Sequence, residues 1–325
     1  MKSGVHLKTL FKFCSLLLTV LTVVLFYHMF RLSQCIPENM YVQKGETINW
    51  SNLVGLGDYD ISKLKVKINA ANQQEACFKL YGIIPIKSTT IVEIDNTSVI
   101  PCGIPIGISL ESSAKDLPGS PSQSPCQVNG IGMMTFYNPV TKTYCALGHN
   151  MSDADSSPLA TIRGGMILSA AIFDVTASTE TSIGKLRGSF ESTVLGDVLM
   201  NNDMGVFGKI KNRLPLSGKP ISVGLKQDIE LGEAQLLTTV NGTTPQYYDV
   251  EVTHISYSTD PNIIIRITDQ ELLSQTGGIV RGMSGSPLIQ NGKLIGAVGY
   301  VRSGDPKVGY AVLAENMLTT MQKLP

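Results

Sequence analysis

Near its C-terminus the chain reads Gly282-Met283-Ser284-Gly285-Ser286-Pro287, two serines among glycines on a short, tight run of backbone. A serine hydroxyl is a poor nucleophile at neutral pH. It attacks a carbonyl only with a base in hydrogen-bond reach and with donors aimed at the oxyanion that forms. Without a Cβ, Gly282 and Gly285 let the backbone turn sharply and present N–H groups into one concavity. Ser284 is therefore the candidate nucleophile, and the amides of Gly282 and Ser284 are the candidate oxyanion hole. Ser286 fits that flanking pattern less well. The bland alternative is an ordinary Ser/Gly turn of a β protein.

A base narrows the choice. Of the four histidines, His6 precedes an apolar run and His28 lies within it, so only His149 and His254 can share a compartment with Ser284. His254 sits inside the alternating segment "DVEVTHISY", an ordinary sheet position. His149 ends the strand-like "TYCALGH" between small neighbours and an irregular stretch, where a catalytic base is commonly mounted. A third group should orient its imidazole. Asp269 in "IIIRITDQELL" and Asp203 in "MNNDMGVFGKI" both qualify, and the residues alone leave that choice open. Either could instead cap a helix or a turn, and "TDQELL" has the form of a cap before a short helix.

These side chains need strands to hold them. From Gln127 onward, "GIGMMTFY", "TYCALGH", "YYDVEVTHISY", "NIIIRITD" and "PLIQNGKLIGAVGYV" alternate as β-strands do, with Asn291-Gly292 suited to a type I′ hairpin. Helical spacing returns only at the end, where Leu313, Met317 and Met321 fall on one face. Residues 127–325 thus read as an all-β domain of sandwich or barrel type with a C-terminal helix. Upstream, 31–110 reads as a smaller β-rich segment containing "LKVKINA", "ACFKLYGIIPI" and "TTIVEIDN". Ser/Pro-rich residues 111–126 read as a linker or an exposed loop.

At the N-terminus, Lys2, Lys8 and Lys12 precede an uncharged apolar run, Phe13 to Phe30. At ~1.5 Å per residue this run covers most of a ~30 Å hydrocarbon core. Its length, and the lack of an Ala-x-Ala-like site after it, favour an uncleaved anchor (13–30) over a cleaved signal peptide. The flanking lysines place residues 1–12 in the cytoplasm and the rest outside. With 26 basic and 26 acidic residues there is no electrostatic footprint for nucleic acid. The six cysteines form no CxxC pair, so a metal site is not expected, and no cofactor is implied. Disulfides are permitted outside the cytoplasm without being indicated. The sequons at Asn96, Asn150 and Asn241 read as chance matches.

The "GxSGSP" run with an upstream strand end "ALGH" resembles the trypsin/chymotrypsin-like serine peptidases, with their two β-barrels and C-terminal helix. Over Gly130 to Leu318, through "GIGMMTFYNPVTKTYCALGH", "NNDMGVFGKI", "RITDQELLSQTGGIVRGMSGSPLIQNGKLIGAVGYV" and "GYAVLAENML", the chain more closely resembles the SpoIVB serine peptidases of endospore-forming bacteria. That resemblance implies a chymotrypsin-like double barrel and a catalytic set His149, Asp269 and Ser284. It also implies a membrane-anchored protease acting between forespore and mother cell on the extracytoplasmic part of a membrane regulatory complex, leading to sigma-K activation. The short gap from Asp269 to Ser284 is unusual for that fold, where the aspartate comes from the first barrel, so Asp203 stands as the alternative. The chain also departs from the family in having no room for a PDZ domain before residue 127. An envelope quality-control protease and a catalytically idle anchored scaffold are the competing functions. "GAVGYV" is the expected wall of the specificity pocket, with a small or apolar P1 side chain.

Overall fold

The structure is a computed structural model that describes residues 3–36, 38–43, 65–68, 74–80, 84–94, 98–112, 126–151, 162–216, 218–256 and 262–324. The chain divides into two units, Met1–Ile94 and Asp95–Pro325. In the first, helix α1 (Ser3–Cys35) contains the span Lys12–Arg31, long and apolar enough to cross a membrane, with Phe13, Leu17, Leu21 and Phe26 all exposed on its surface. Strands β1 (Asn39–Gln43), β2 (Lys65–Ile68), β3 (Gln74–Leu80) and β4 (Ile84–Ile94) form a sheet in the order β1-β4-β3-β2, with β1 parallel to β4.

The second unit holds two barrels. The first uses β6 (Pro105–Ser112), β7 (Cys126–Asn138), β8 (Thr143–Ala146), β9 (Ile162–Thr176), β10 (Lys185–Asn202) and β11 (Gly205–Ile210). Its order is β7-β6-β9-β10-β11-β8, and β8 pairs back onto β7 to close it. β5 (Ser98–Pro101) and β12 (Ile221–Ser222) extend the β7 edge. The second barrel closes in the order β13 (Gly232–Thr238), β14 (Gln246–Ile255), β15 (Ile263–Ile267), β18 (Val308–Leu313), β17 (Lys293–Val301), β16 (Pro287–Gln290). The expected mainly-β double barrel with a terminal helix is what the chain forms. Asn291 and Gly292 both take positive φ in the β16–β17 turn, as a type I′ hairpin requires. Helix α3 (Ala314–Met321) buries Met317 and Met321, and Leu313 is buried at its N-cap.

The boundary of the barrel domain lies earlier than residue 127. β6 pairs with both β7 (Ile106↔Gly132) and β9 (Ile108↔Ile167), so residues assigned from sequence to the upstream segment are a wall of the first barrel. The reason is burial. Ile104, Ile106, Ile108 and Leu110 are all buried and pack with Tyr144, Ile167 and Val206 in one core, which alternation along a single strand could not reveal. Residues 113–125, which carry most of the expected linker, lie outside the described residues.

Candidate active site

Ser284 follows Gly282, whose φ of +100° places it where glycine is favoured. Gly285 has φ +90°, and a Cβ there would stand 2.1 Å from Met133 O and 2.5 Å from Leu147 N, so only glycine lets the turn seat against the first barrel. The seat is hydrogen-bonded: Met133 N–H donates to Ser284 O (2.8 Å), and Leu147 N–H donates to Met133 O (3.3 Å). Within the turn the N–H groups of Met283, Gly285 and Ser286 donate to Val280, Val298 and Met283 carbonyls. Those of Gly282 and Ser284 donate to no acceptor among the described residues. Two unspent donors from alternate peptides, on either side of Met283, are what an oxyanion hole requires. Ser286 is fully buried, bonded to Thr238 Oγ1 and Met283 O, and serves the fold.

His149 follows β8 after Leu147 (φ 72°) and Gly148 (φ 69°), two left-handed residues that swing the chain out of the strand. Its Nδ1 lies 2.6 Å from the Asn150 carbonyl oxygen. A carbonyl can only accept, so Nδ1 carries the proton and Nε2 is left as the basic nitrogen. Burial pushes the imidazole pKa below its ordinary 6.5, and the bond to Asn150 opposes that shift. The ring lies against Tyr300, with centroids 5.1 Å apart. Tyr300 follows Gly299, whose carbonyl accepts the Ser284 hydroxyl at 3.2 Å. Strand β17 therefore carries both partners on adjacent residues, although no hydrogen bond joins His149 to Ser284 directly.

The two aspartates separate cleanly. Asp269 is the N-cap of α2 (Gln270–Thr276): Oδ1 accepts from Leu272 N–H at 2.9 Å, and Oδ2 from Asp249 N–H at 3.3 Å. No hydrogen bond or ion pair joins it to His149. Its carboxylate thus caps α2, the reading that "TDQELL" also allowed. Asp203, in the β10–β11 turn, instead accepts from Asn150 Nδ2 at 2.8 Å. Its charge also helps burial raise the Tyr300 hydroxyl pKa. Asn201 grips the next residue, accepting from Met151 N–H (2.8 Å) and donating to Met151 O (2.7 Å). His254 lies exposed on β14, apart from these contacts.

Asn150 is the residue that sequence reasoning missed. Its place directly after His149 was the available signal, but a backbone carbonyl on an imidazole leaves no mark in side-chain patterns. Cys102 and Cys145 are free and buried, their thiol pKa values pushed up by burial, and take no part.

Comparison with known proteins gives the family. The family described as SpoIVB peptidase S55 matches residues 126–318. No curated protein matches the chain. Among solved structures, the thermostable serine protease AL20 from an extremophilic microorganism is similar at 10% identity and TM-score 0.37, covering 68% of this chain and 98% of that one. The protease Anisep from Arthrobacter nicotinovorans is similar at 13% identity and TM-score 0.35, covering 70% and 98%. A protease of M. tuberculosis in its active form is similar at 14% identity and TM-score 0.33, covering 68% and 81%. The family match spans more than half of the chain and contains His149, Asp203, Asp269 and the glycine-flanked Ser284: the chain belongs to the SpoIVB peptidase S55 family and is a serine endopeptidase.

Proposed function

We propose that Ser284 is the nucleophile, His149 its general base, and the N–H groups of Gly282 and Ser284 the oxyanion hole. The observation that carries this reading is the pair of unspent amides on either side of the buried Met283 N–H. On substrate binding the Ser284 hydroxyl turns from Gly299 O to His149 Nε2 and gives up its proton as Oγ attacks the peptide carbonyl. The tetrahedral oxyanion settles on the two amides. His149 then protonates the leaving amine, and water repeats the sequence to release the acyl group.

Asp203 is the third residue of this reading in preference to Asp269, because it holds Asn150, whose carbonyl holds Nδ1–H. It acts through Asn150 as a positioning residue. The Asn150 carbonyl fixes the tautomer by itself. Asp203→Asn should therefore cost well short of the ~10⁴-fold that a wrong tautomer costs in the Ser-His-Asp template.

The physiological reading rests on the family and on α1. An anchored protease with residues 31–325 outside the cytoplasm would cleave the extracytoplasmic part of a membrane regulator, in the step that releases sigma-K during sporulation. Intact-mass labelling of the detergent-solubilised full chain with a fluorophosphonate tests the chemistry. One adduct is expected in wild type, none in Ser284→Ala or His149→Ala, slowed labelling in Asp203→Asn and near-normal labelling in Asp269→Asn. The reverse order for the two aspartates would return the role to Asp269. A folded wild type without an adduct would favour an idle scaffold. In a spore-forming host, Ser284→Ala should block sigma-K processing, and normal processing would sink the signalling role.

A further inference from the structure

The connection between β9 and β10 reaches across to the second barrel and ends at the oxyanion turn. Thr179 and Ser182 close its tip by exchanging backbone hydrogen bonds. Just before the tip, buried Ser178 makes three bonds. Its N–H donates to Thr276 O (2.7 Å), its hydroxyl donates to Ile279 O (2.9 Å), and the same oxygen accepts from Gly184 N–H (2.8 Å). Just after the tip, Arg281 N–H donates to Gly184 O (2.9 Å), and Leu186 N–H donates to Arg281 O (2.8 Å). The fit is close on both sides: a Cβ on Gly277 would stand 2.2 Å from Ser178 O, and one on Gly282 would stand 3.1 Å from Leu186 Cβ.

The last of these bonds bears on catalysis. Arg281 O and Gly282 N–H belong to one peptide, which is planar and trans, so its C=O and N–H point in opposite directions. Holding the carbonyl on Leu186 turns the Gly282 N–H the other way, towards the hole. With φ at +100°, Gly282 is a residue at which this peptide could rotate at little steric cost, and rotation would replace the donor with a carbonyl oxygen.

We propose that residues 177–186 are a brace that keeps the Arg281–Gly282 peptide in its catalytic orientation, with Ser178 and the Leu186 N–H as positioning groups. This rests on the assignment of Gly282 to the oxyanion hole. The test is the rate of fluorophosphonate labelling of the full chain in detergent, resolved into its maximal rate and its half-saturating concentration. In that reaction an Oγ–P bond forms, the P–F bond breaks, fluoride leaves and the serine proton passes to His149. The phosphoryl oxygen takes the place of the oxyanion.

Ser178→Ala is expected to lower the maximal rate roughly tenfold, and Leu186→Pro, which deletes the N–H, to approach the ~10²–10³-fold of a lost oxyanion donor. Half-saturation should stay within about twofold, and the pH profile should not move, because His149 is untouched. Ser178→Thr, which keeps the hydroxyl, should restore most of the rate. Thermal unfolding identifies which variants fold, and one folded variant suffices. Wild-type maximal rates in folded Ser178→Ala or Leu186→Pro would overturn the brace, as would a loss confined to half-saturation or accompanied by a shifted pH profile. Failure of wild type itself to label Ser284 would instead remove the assignment on which the brace rests.

Discussion

Glu315, in the first turn of α3, is 3% exposed, and its carboxylate accepts the Lys226 N–H at 2.8 Å. Burial raises its pKa from 4.5 to about 7; the Lys226 N–H and ammonium oppose the rise, and Asp228, itself paired with Lys293 at 3.1 Å, adds to it. The folded acid keeps its proton to higher pH than the unfolded one. The linked stability is therefore complete below about pH 4.5, declines as pH climbs, and is lost above about pH 7. At ~1.4 kcal/mol per pH unit, the span from 4.5 to about 7 corresponds to about 3 kcal/mol. Glu315→Gln keeps the shape and an acceptor for Lys226 N–H but has no proton to lose. The full chain and this variant should melt within a few degrees of one another at pH 5. At pH 8 the variant should melt roughly 6–12 °C higher, taking ~2–4 °C per kcal/mol for a domain of this size. Comparing the two proteins at each pH cancels the titration of every other group. A difference that stays flat between pH 5 and 8, or that favours wild type at pH 8, would refute the reasoning.

Three further outcomes are expected. Because burial disfavours the imidazolium of His149, the acid limb of the labelling rate should have its midpoint below 6.5, and a midpoint above that value would contradict the buried geometry. Asp269→Ala should cost ~0.5–2 kcal/mol of stability in denaturant melts as a lost helix cap, with labelling changed less than about twofold; a hundredfold loss of labelling at unchanged stability would restore Asp269 to the catalytic set. Gly285→Ala should abolish labelling and lower the melting temperature, since backbone strain alone costs ~1–3 kcal/mol before the clash with Met133 O is counted. An active, stable variant would mean that the turn can seat elsewhere.

The local turns were legible in the sequence, and the long-range pairings were not. "GMSGSP" declares its own geometry because the glycines are needed by the turn itself, and "NG" at 291–292 does the same for a hairpin. His149 could be singled out as a candidate because only two histidines follow the apolar run and it ends a strand-like segment, whereas His254 lies inside one. β6 escaped assignment because its two partners, β7 and β9, are separated from it by chain whose composition says nothing about register. The choice between Asp203 and Asp269 stayed open in the sequence for a related reason. Both end apolar or polar-to-apolar segments, and the bonds that distinguish them, to Asn150 and to Leu272 N–H, are decided by where the turns fold.

The seat of the Ser284 turn sets a tolerance for change. Ser284 O, Met133 N–H, Met133 O and Leu147 N–H form an unbroken series, and Leu147 stands two residues before His149. The spacing of Ser284 and His149 is measured across strands and bypasses the β7–β8 turn at residues 139–142. Extra residues spliced into that turn would leave the spacing intact, whereas a single residue inserted between Met133 and Phe136, or between Cys145 and His149, would shift it. Length variation among active relatives should therefore collect in the turn and be absent from those two short stretches.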